Sequence, residues 1–241
     1  MPRLIVPSIP TGSIKVTLSA DEARYLSTVL RMSPGDSVEL IHDGGLRSEA
    51  VIRTISKSTA ELEVTAALSP IEPPRVRITL AQGVLKGAKM DLVIQKAAEL
   101  GASAIAPVIT ERCQVRETRK QPRWEKIATE AARLSMQPLP PAIRPIAGYA
   151  EFISALGSGA RGLVFWEEGG EALSDDDAPQ DGELVIIIGP EGGLTRDEVT
   201  LAKDAGLKVA TLGPRTLRAE TASIAALSVV QFICGALGGR R

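Results

Sequence analysis

The stretch SPIEPP at residues 69–74 divides the chain into two parts with different residue patterns, and this division most constrains the fold. Proline-rich segments that interrupt regular structure commonly connect domains. We therefore predict one domain over residues 1–72 and a second over residues 73–241. A chain of 241 residues is long enough to give each part a core.

The first part consists of short segments with alternating apolar residues, which predict strands: SIKVTL, DSVELI, LRSEAVIRTI and TAELEVTAAL. The turn HDGG between two of them places the only histidine, His42, in a hairpin turn at the surface. Ser19 and Glu22 form a predicted capping box for a helix over DEARYLSTVLRM. Short strands joined by turns predict a small β-barrel.

The second part alternates between strand and helix patterns, which predicts an α/β domain with a mainly parallel sheet. Buried strands are predicted at residues 76–84, 104–110, 162–166, 183–189 and 208–213. Helices are predicted at 89–100, from Trp124 to Leu134, after a Thr195–Glu198 capping box, and at 219–237. The last helix is apolar on most sides, with one broad face formed by Ala222, Ala225, Ala226, Val229, Val230 and Ile233.

Composition is that of a soluble globular protein, with 44% hydrophobic and 24% charged residues. No apolar run reaches the ~18 residues of a membrane span, and the first residues lack a signal-peptide pattern. One histidine and two distant cysteines, Cys113 and Cys234, argue against a metal site and against a disulfide framework. These features predict a cytoplasmic protein with no metal and no membrane partner.

The net charge of −1 conceals an uneven distribution of charge along the chain. Residues 73–144 contain 13 basic and 6 acidic residues, whereas both flanking parts are acidic. A nucleic-acid partner accounts for a basic region of this kind. A solvated charged surface accounts for it nearly as well, so both interpretations stay open.

Two predicted strand-to-helix loops are candidates for a ligand site: Gly189–Leu194, and LGPRTLRAET at residues 212–221. Ligands of α/β sheets bind at the carboxyl ends of strands, where glycines allow close approach of the backbone. Neither phosphate-binding glycine motif is present, and Glu191 would repel a phosphate. The first loop therefore suits an uncharged or cationic ligand, such as an adenosine that carries a sulfonium.

Arg215 and Arg218 in the second loop have two open interpretations. They could contact a phosphodiester or polarise a carbonyl of a substrate. Alternatively, Arg218 could form a structural ion pair with Glu220 or Glu191.

These loops resemble the RsmE-type 16S ribosomal RNA uridine-N3 methyltransferases of the SPOUT superfamily. The resemblance covers nearly the whole chain and includes three further blocks: VLRMSPGD (29–36), KGAKMDLVIQKAAELGASAIAPVITERCQV (86–115) and RWEKIATEAA (123–132). It implies a PUA-like N-terminal barrel that binds RNA and a C-terminal domain with a trefoil knot. It also implies S-adenosylmethionine as cofactor, 16S ribosomal RNA in the small subunit as partner, and a homodimer.

The resemblance, the chemistry of N3 methylation and the charge distribution together give the expected site residues. The cofactor is expected to contact Phe165, Trp166, Gly189, Pro190, Glu191, Gly192, Gly193, Leu212, Gly213, Leu217 and Thr221. Arg218 or Arg215 is expected to polarise the carbonyls next to N3, with Glu191 and Glu220 as candidate bases or structural anchors. RNA is expected to contact Arg24, Arg31, Arg112, Arg116, Arg119 and Lys120.

One segment departs from the family pattern. After EAA the family continues with Gln, Cys or Ser, Gly and Arg, whereas this chain has Leu134-Ser135-Met136-Gln137. The change leaves two alternatives open: an RNA-binding or ribosome-assembly factor that binds the cofactor without turnover, and a methyltransferase for another nucleotide.

Overall fold

The computed structural model describes residues 1–6, 8–9, 14–42, 45–135, 137, 139–157, 159–177 and 179–238. The chain separates into two compact units, Met1–Pro73 and Pro74–Arg241. The centre of the predicted HDGG turn, Asp43-Gly44, lies outside the described residues.

The first unit contains one five-stranded sheet that curls into a half-barrel. Its strands follow the order β1-β3-β4-β5-β2, and all neighbours are antiparallel except β1 and β3. The strands are β1 (Arg3–Ile5), β2 (Lys15–Leu18), β3 (Ser37–His42), β4 (Leu46–Ile55) and β5 (Ala60–Leu68). Four of them coincide with predicted strands, while the three-residue β1 is too short to give a periodic pattern.

Two expectations for this unit need correction. The capping box of Ser19 and Glu22 is present, but helix α1 covers only Ala20–Arg24 and continues as a π-helical turn over Tyr25–Val29. His42 is buried at the end of β3 instead of lying at the surface, and its Nε2 is 3.0 Å from Ser48 Oγ. A buried imidazole requires such a polar partner.

The second unit contains a parallel sheet in the order β12-β10-β11-β6-β7-β8, with β9 also paired to β7. This confirms the predicted α/β domain. Its strands are β6 (Val76–Gly83), β7 (Ala104–Ile109), β8 (Ala142–Ile143), β9 (Ala147–Gly148), β10 (Gly162–Phe165), β11 (Gly182–Ile188) and β12 (Lys208–Ala210). Its helices are α2 (Lys89–Glu99), α3 (Gln121–Leu134), α4 (Tyr149–Ala155), α5 (Arg196–Asp204) and α6 (Ala219–Ile233).

Helices cover both faces of the parallel sheet. Side chains of α2, α3 and α6 pack on one face, and side chains of α4 and α5 pack on the other. Burial on both faces explains the nearly continuous apolar runs of β10 and β11. Helix α5 begins with the predicted capping box of Thr195 and Glu198.

Helix α6 buries part of the predicted apolar face and some residues outside it. Its core side includes Ala226 and Val230 of that face together with Ser223 and Leu227. Val229, predicted on the apolar face, is 40% exposed. No helix in the described part of the chain is long and apolar enough to cross a membrane.

Candidate functional site

A cavity of about 240 Å³ lies where β10, β11 and β12 end, between the loops that follow β11 and β12. This is the edge of a parallel sheet at which ligands bind. Its lining contains nine of the eleven residues expected to contact a cofactor: Phe165, Trp166, Gly189, Pro190, Glu191, Gly193, Leu212, Gly213 and Leu217. Gly192 and Thr221 are not in the lining.

The loop Gly189–Leu194 is held tightly by its neighbours. The Gly193 N–H donates to the Pro190 carbonyl at 2.9 Å, and Gly193 has a φ of 72°, in the left-handed region that favours glycine. The Trp166 indole Nε1–H donates to the Leu194 carbonyl at 3.3 Å. A Cβ at Gly83 would meet the Pro190 nitrogen at 2.6 Å, so β6 packs directly on the loop.

Gln82, which sequence reasoning missed, connects this loop to helix α6. Its side chain is fully buried, and its Nε2 donates to the carbonyls of Gly189 at 3.2 Å and Gly83 at 3.0 Å. Its Oε1 accepts a hydrogen bond from Ser223 Oγ. A glutamine within the apolar run of β6 is a usable sequence signal, because a buried amide must be hydrogen-bonded.

Glu191 is anchored on one side of the pocket by a second missed residue, Lys89. Its Oε1 accepts from the Lys86 backbone N–H and from Lys89 Nζ, both at 3.1 Å. Burial favours the neutral carboxyl, but hydrogen bonds from backbone N–H groups and the Lys89 ammonium outweigh it and hold the pKa of Glu191 below its ordinary value. A lowered pKa suits a fixed anion better than a general base.

The loop after β12 carries the two arginines at the mouth of the pocket. Arg215 and Arg218 both line it and are exposed, and Arg218 is the N-cap residue of α6. Within the described residues neither arginine forms an ion pair, so the structural pairing considered for Arg218 is not observed. The Oε2 atoms of Glu191 and Glu220 are buried without a described hydrogen-bond partner.

The residues expected to contact RNA fall into two groups. In the second unit, Arg112 Nη1 donates to the Gly192 carbonyl at 3.0 Å, and Arg116 donates to the carbonyls of Thr110 and Glu111. Arg119 and Lys120 are exposed. In the first unit, Arg24 at the end of α1 and Arg31 just after the π-helical turn are exposed.

The segment that departs from the family pattern has a structural role. Gln137 Nε2 donates to the Glu99 carbonyl at 3.1 Å, and Gln231 Nε2 donates to the Leu100 carbonyl at 2.8 Å. Both side chains thus satisfy carbonyls at the C-terminal end of α2, which otherwise lack partners. Leu134 is 66% exposed, and Met136 lies outside the described residues.

Comparisons with known protein families define the class of protein to which this fold and pocket belong. A family model described as an RNA methyltransferase domain matches residues 72–231, and one described as an RNA methyltransferase PUA domain matches residues 18–65.

The chain belongs to the ribosomal RNA small subunit methyltransferase E family. It is 32% identical to that protein from Synechocystis, over 96% of this chain and 77% of the relative. The Bacillus subtilis relative is 29% identical over 94% of this chain and 92% of its own. The Neisseria gonorrhoeae methyltransferase E, crystallised with S-adenosyl methionine, is 34% identical, covers 97% of this chain and 98% of its own, and superimposes with a TM-score of 0.86.

Proposed function

We propose that this protein transfers a methyl group from S-adenosylmethionine (SAM) to N3 of a uridine in the small-subunit (16S) ribosomal RNA. The observation that carries the proposal is the pocket between the two glycine-containing loops at the ends of β11 and β12. The Neisseria gonorrhoeae methyltransferase E structure, which is 34% identical and bound to SAM, supports the same cofactor here.

The residues of the pocket fit this cofactor. Apolar side chains of Phe165, Ile188 and Leu217 offer surface for an adenine ring. The carboxylates of Glu191 and Glu220 are among the lining residues, and they suit a cationic ligand and oppose a phosphate, since buried charge needs an opposite partner. SAM, when bound, supplies an electrophilic methyl group on its sulfonium.

The arginines of the second loop would contribute the chemistry on the RNA side. The N3 proton of uridine dissociates well above neutral pH, so its removal needs stabilisation of negative charge on the adjacent carbonyl oxygens. A guanidinium donates planar pairs of N–H groups and stays charged. Arg218 or Arg215 would hold these carbonyl oxygens, while Glu191 would be kept in place on the other side of the pocket by its ion pair with Lys89.

Mass spectrometry of small-subunit RNA tests this proposal. RNA from a strain that lacks the gene is compared with RNA from the same strain supplied with this chain. Restored methylation of one uridine at N3 is expected. No methylation together with measurable SAM binding would favour a binding factor without turnover, and a modified base of another kind would favour a different target nucleotide.

We further propose that the protein works as a cytoplasmic homodimer with a knotted C-terminal domain. In the single chain, the helices on one face of the sheet expose apolar side chains. Such exposure is expected where a second copy covers them in a dimer. They are Leu92 of α2, Leu134 of α3, and Val229 and Phe232 of α6. Light scattering at micromolar concentration should give twice the 25.4 kDa chain mass; a monomer there would contradict the dimer.

RNA binding is proposed to depend on the basic segment of the second unit. Three basic side chains of this segment are exposed: Arg119, Lys120 and Lys126. Arg116 is left unchanged, because it donates to the Thr110 carbonyl and its loss would also disturb this turn. Changing Arg119, Lys120 and Lys126 together to alanine should lower the log–log salt slope of RNA binding by up to ~2, at ~0.7 per single-strand phosphate contact. A parental slope in this variant, with a reduced slope in Arg24→Ala and Arg31→Ala, would assign the main contacts to the first unit.

A further inference from the structure

Arg112 lies against the outer side of the pocket loop. Its Nη1 donates to the Gly192 carbonyl at 3.0 Å. A Cβ at Gly192 would lie 2.9 Å from the Cβ of Arg112, so packing against the arginine already requires glycine there. The close approach at Gly192 is therefore a contact between two loops of the same unit.

The loop Gly189–Leu194 consequently has two faces with different neighbours. Gly189, Pro190, Glu191 and Gly193 line the pocket, whereas Gly192 faces away from it and rests on Arg112. A ligand in the pocket and a ligand on Arg112 would thus contact opposite sides of one short, tightly held loop.

A second connection fixes the turn that carries Arg112. The Glu111 N–H donates to Glu198 Oε1 at 2.8 Å, and Glu198 Oε2 accepts from the Thr195 N–H at 2.9 Å. The carboxylate that caps α5, just after the pocket loop, therefore also anchors residue 111. Arg116 closes the same turn by donating to the carbonyls of Thr110 and Glu111.

The guanidinium of Arg112 keeps most of its donors for another ligand. A guanidinium has five N–H groups. Among the described residues Arg112 has a single hydrogen bond, to Gly192, and its side chain is exposed in the most basic part of the chain. A phosphate can bind the remaining donors while the bond to Gly192 persists.

We propose that Arg112 is a positioning residue that couples RNA binding to cofactor binding. A backbone phosphate of the RNA holds its guanidinium, which in turn fixes the Gly192 carbonyl and the pocket side of the loop. Coupling of this kind is reciprocal, so the cofactor must raise the affinity for RNA by the same factor. This inference rests on the proposed function for the identity of both ligands.

Equilibrium dialysis with tritiated S-adenosylhomocysteine, which has no methyl group to transfer, tests the coupling. Its dissociation constant is measured with the protein alone and with saturating small ribosomal subunits from a strain that lacks the gene. For the wild type, subunits should tighten binding by ~5-fold or more, the usual lower range of such couplings. Arg112→Gln keeps an N–H donor and the methylenes near Gly192 but no charge. The ratio of its dissociation constant without subunits to that with subunits should therefore fall to one.

Arg196→Ala is the matched control, because it removes an exposed arginine of the same unit that lies in neither the pocket lining nor the basic segment, and it should keep the wild-type ratio. Arg112→Ala should also give a ratio of one, even if its affinity in the absence of subunits changes. A wild-type ratio of one, or an undiminished ratio in both Arg112 variants, would overturn the coupling. Failure of the wild type to bind the ligand, or to bind subunits, would instead contradict the proposed function.

Discussion

The two loops of the pocket differ in how firmly the rest of the domain holds them. The loop Gly189–Leu194 is contacted by Gln82, Lys89, Arg112 and Trp166 from four directions. The loop after β12 has mainly local hydrogen bonds, such as those between Thr211 and Gly213 at 3.2 and 3.3 Å.

If the proposed function holds, this difference predicts that the first loop serves mainly cofactor binding and the second loop mainly the reaction. A loop with fixed backbone geometry can present the same contacts to a cofactor in every cycle, which reduces the entropy lost on binding. Exposed arginines on the less restrained loop can adjust to an RNA that arrives separately. Variants of the first loop should therefore affect cofactor affinity, and variants of the second should affect turnover.

The largest effect is expected from Gly193→Val, which changes the fixed loop itself. The left-handed φ of 72° disfavours valine, and the new side chain would collide with the Glu167 carboxylate at the pocket wall. Calorimetry should detect no SAM binding. Gly206→Val is the control, since its φ of 91° imposes similar strain, at least about 1 kcal/mol, in open space after α5. Unchanged SAM affinity in the Gly193 variant would remove this loop from the cofactor site.

Arg218→Ala tests the second loop. Loss of a donor to the developing negative charge should lower kcat by ~10²–10³-fold with little change in the dissociation constant of SAM. Arg215→Ala should have a smaller effect if Arg218 holds the carbonyls, and a larger one if the roles are reversed. Arg196→Ala, which breaks an exposed ion pair with Glu168, is the neutral control. A pure loss of SAM affinity in the Arg218 variant would erase the distinction between the loops.

Gln82→Leu tests the connection between the fixed loop and α6. It leaves the Gly189 carbonyl and the Ser223 hydroxyl in a buried place without their amide partner, which should cost about 2 kcal/mol of unfolding free energy. SAM affinity should fall by ~10-fold because the loop loses a support. Gln231→Leu also removes a buried amide of α6, but that amide donates to the Leu100 carbonyl at the end of α2 and not to the pocket loop. Denaturant melts should therefore show a similar cost with normal SAM affinity.

Glu191→Gln should produce the smallest effect, visible in the pH dependence of stability. Because the folded-state pKa of Glu191 is lowered, the wild type gains stability above the ordinary value of 4.5 and loses it as pH falls through the folded pKa. Wild type and variant should differ in unfolding free energy by ~0.5 kcal/mol near neutral pH, since the Glu191–Lys89 pair is partly exposed. This difference should shrink below pH 4.5. A difference that stays constant from pH 7 to pH 3 would mean that the backbone N–H groups and Lys89 together do not stabilise the carboxylate.

Periodicity predicted most of the second domain, because its strands are buried on both faces and its helices have a clear apolar stripe. The positions of Met90, Val93, Ile94 and Ala97 on α2 are an example, and all four are buried. Short elements such as β8 and β9 carry two residues each and leave no pattern to detect. The predicted first helix is longer than the observed α1. The sequence does not reveal that the backbone hydrogen bonds change from the α-helical to the π-helical pattern at Tyr25.

Some residues of the pocket and its supports could be predicted from the sequence, and others could not. The two glycine-containing loops could be located from sequence because they follow recognisable strands. Lys89, Gln82 and Arg112 could not be assigned to the pocket, since each reaches the loop from a part of the chain about 80 to 107 residues away. Contacts at such separations depend on sheet order, which a single sequence does not specify.

The sheet order also determines when the domain can fold during synthesis. Strand β11 lies between β6 and β10, yet the Arg77–Glu183 pair that joins it to β6 spans 106 residues. A nascent chain that ends before residue 182 can pair β6 with β7 but leaves the other edge of β6 open. Such non-local pairing is slow and exposes an apolar strand edge to aggregation. The partly synthesised chain should therefore depend on chaperones. The region around β10, β11 and β12 should be the last part of the domain to fold.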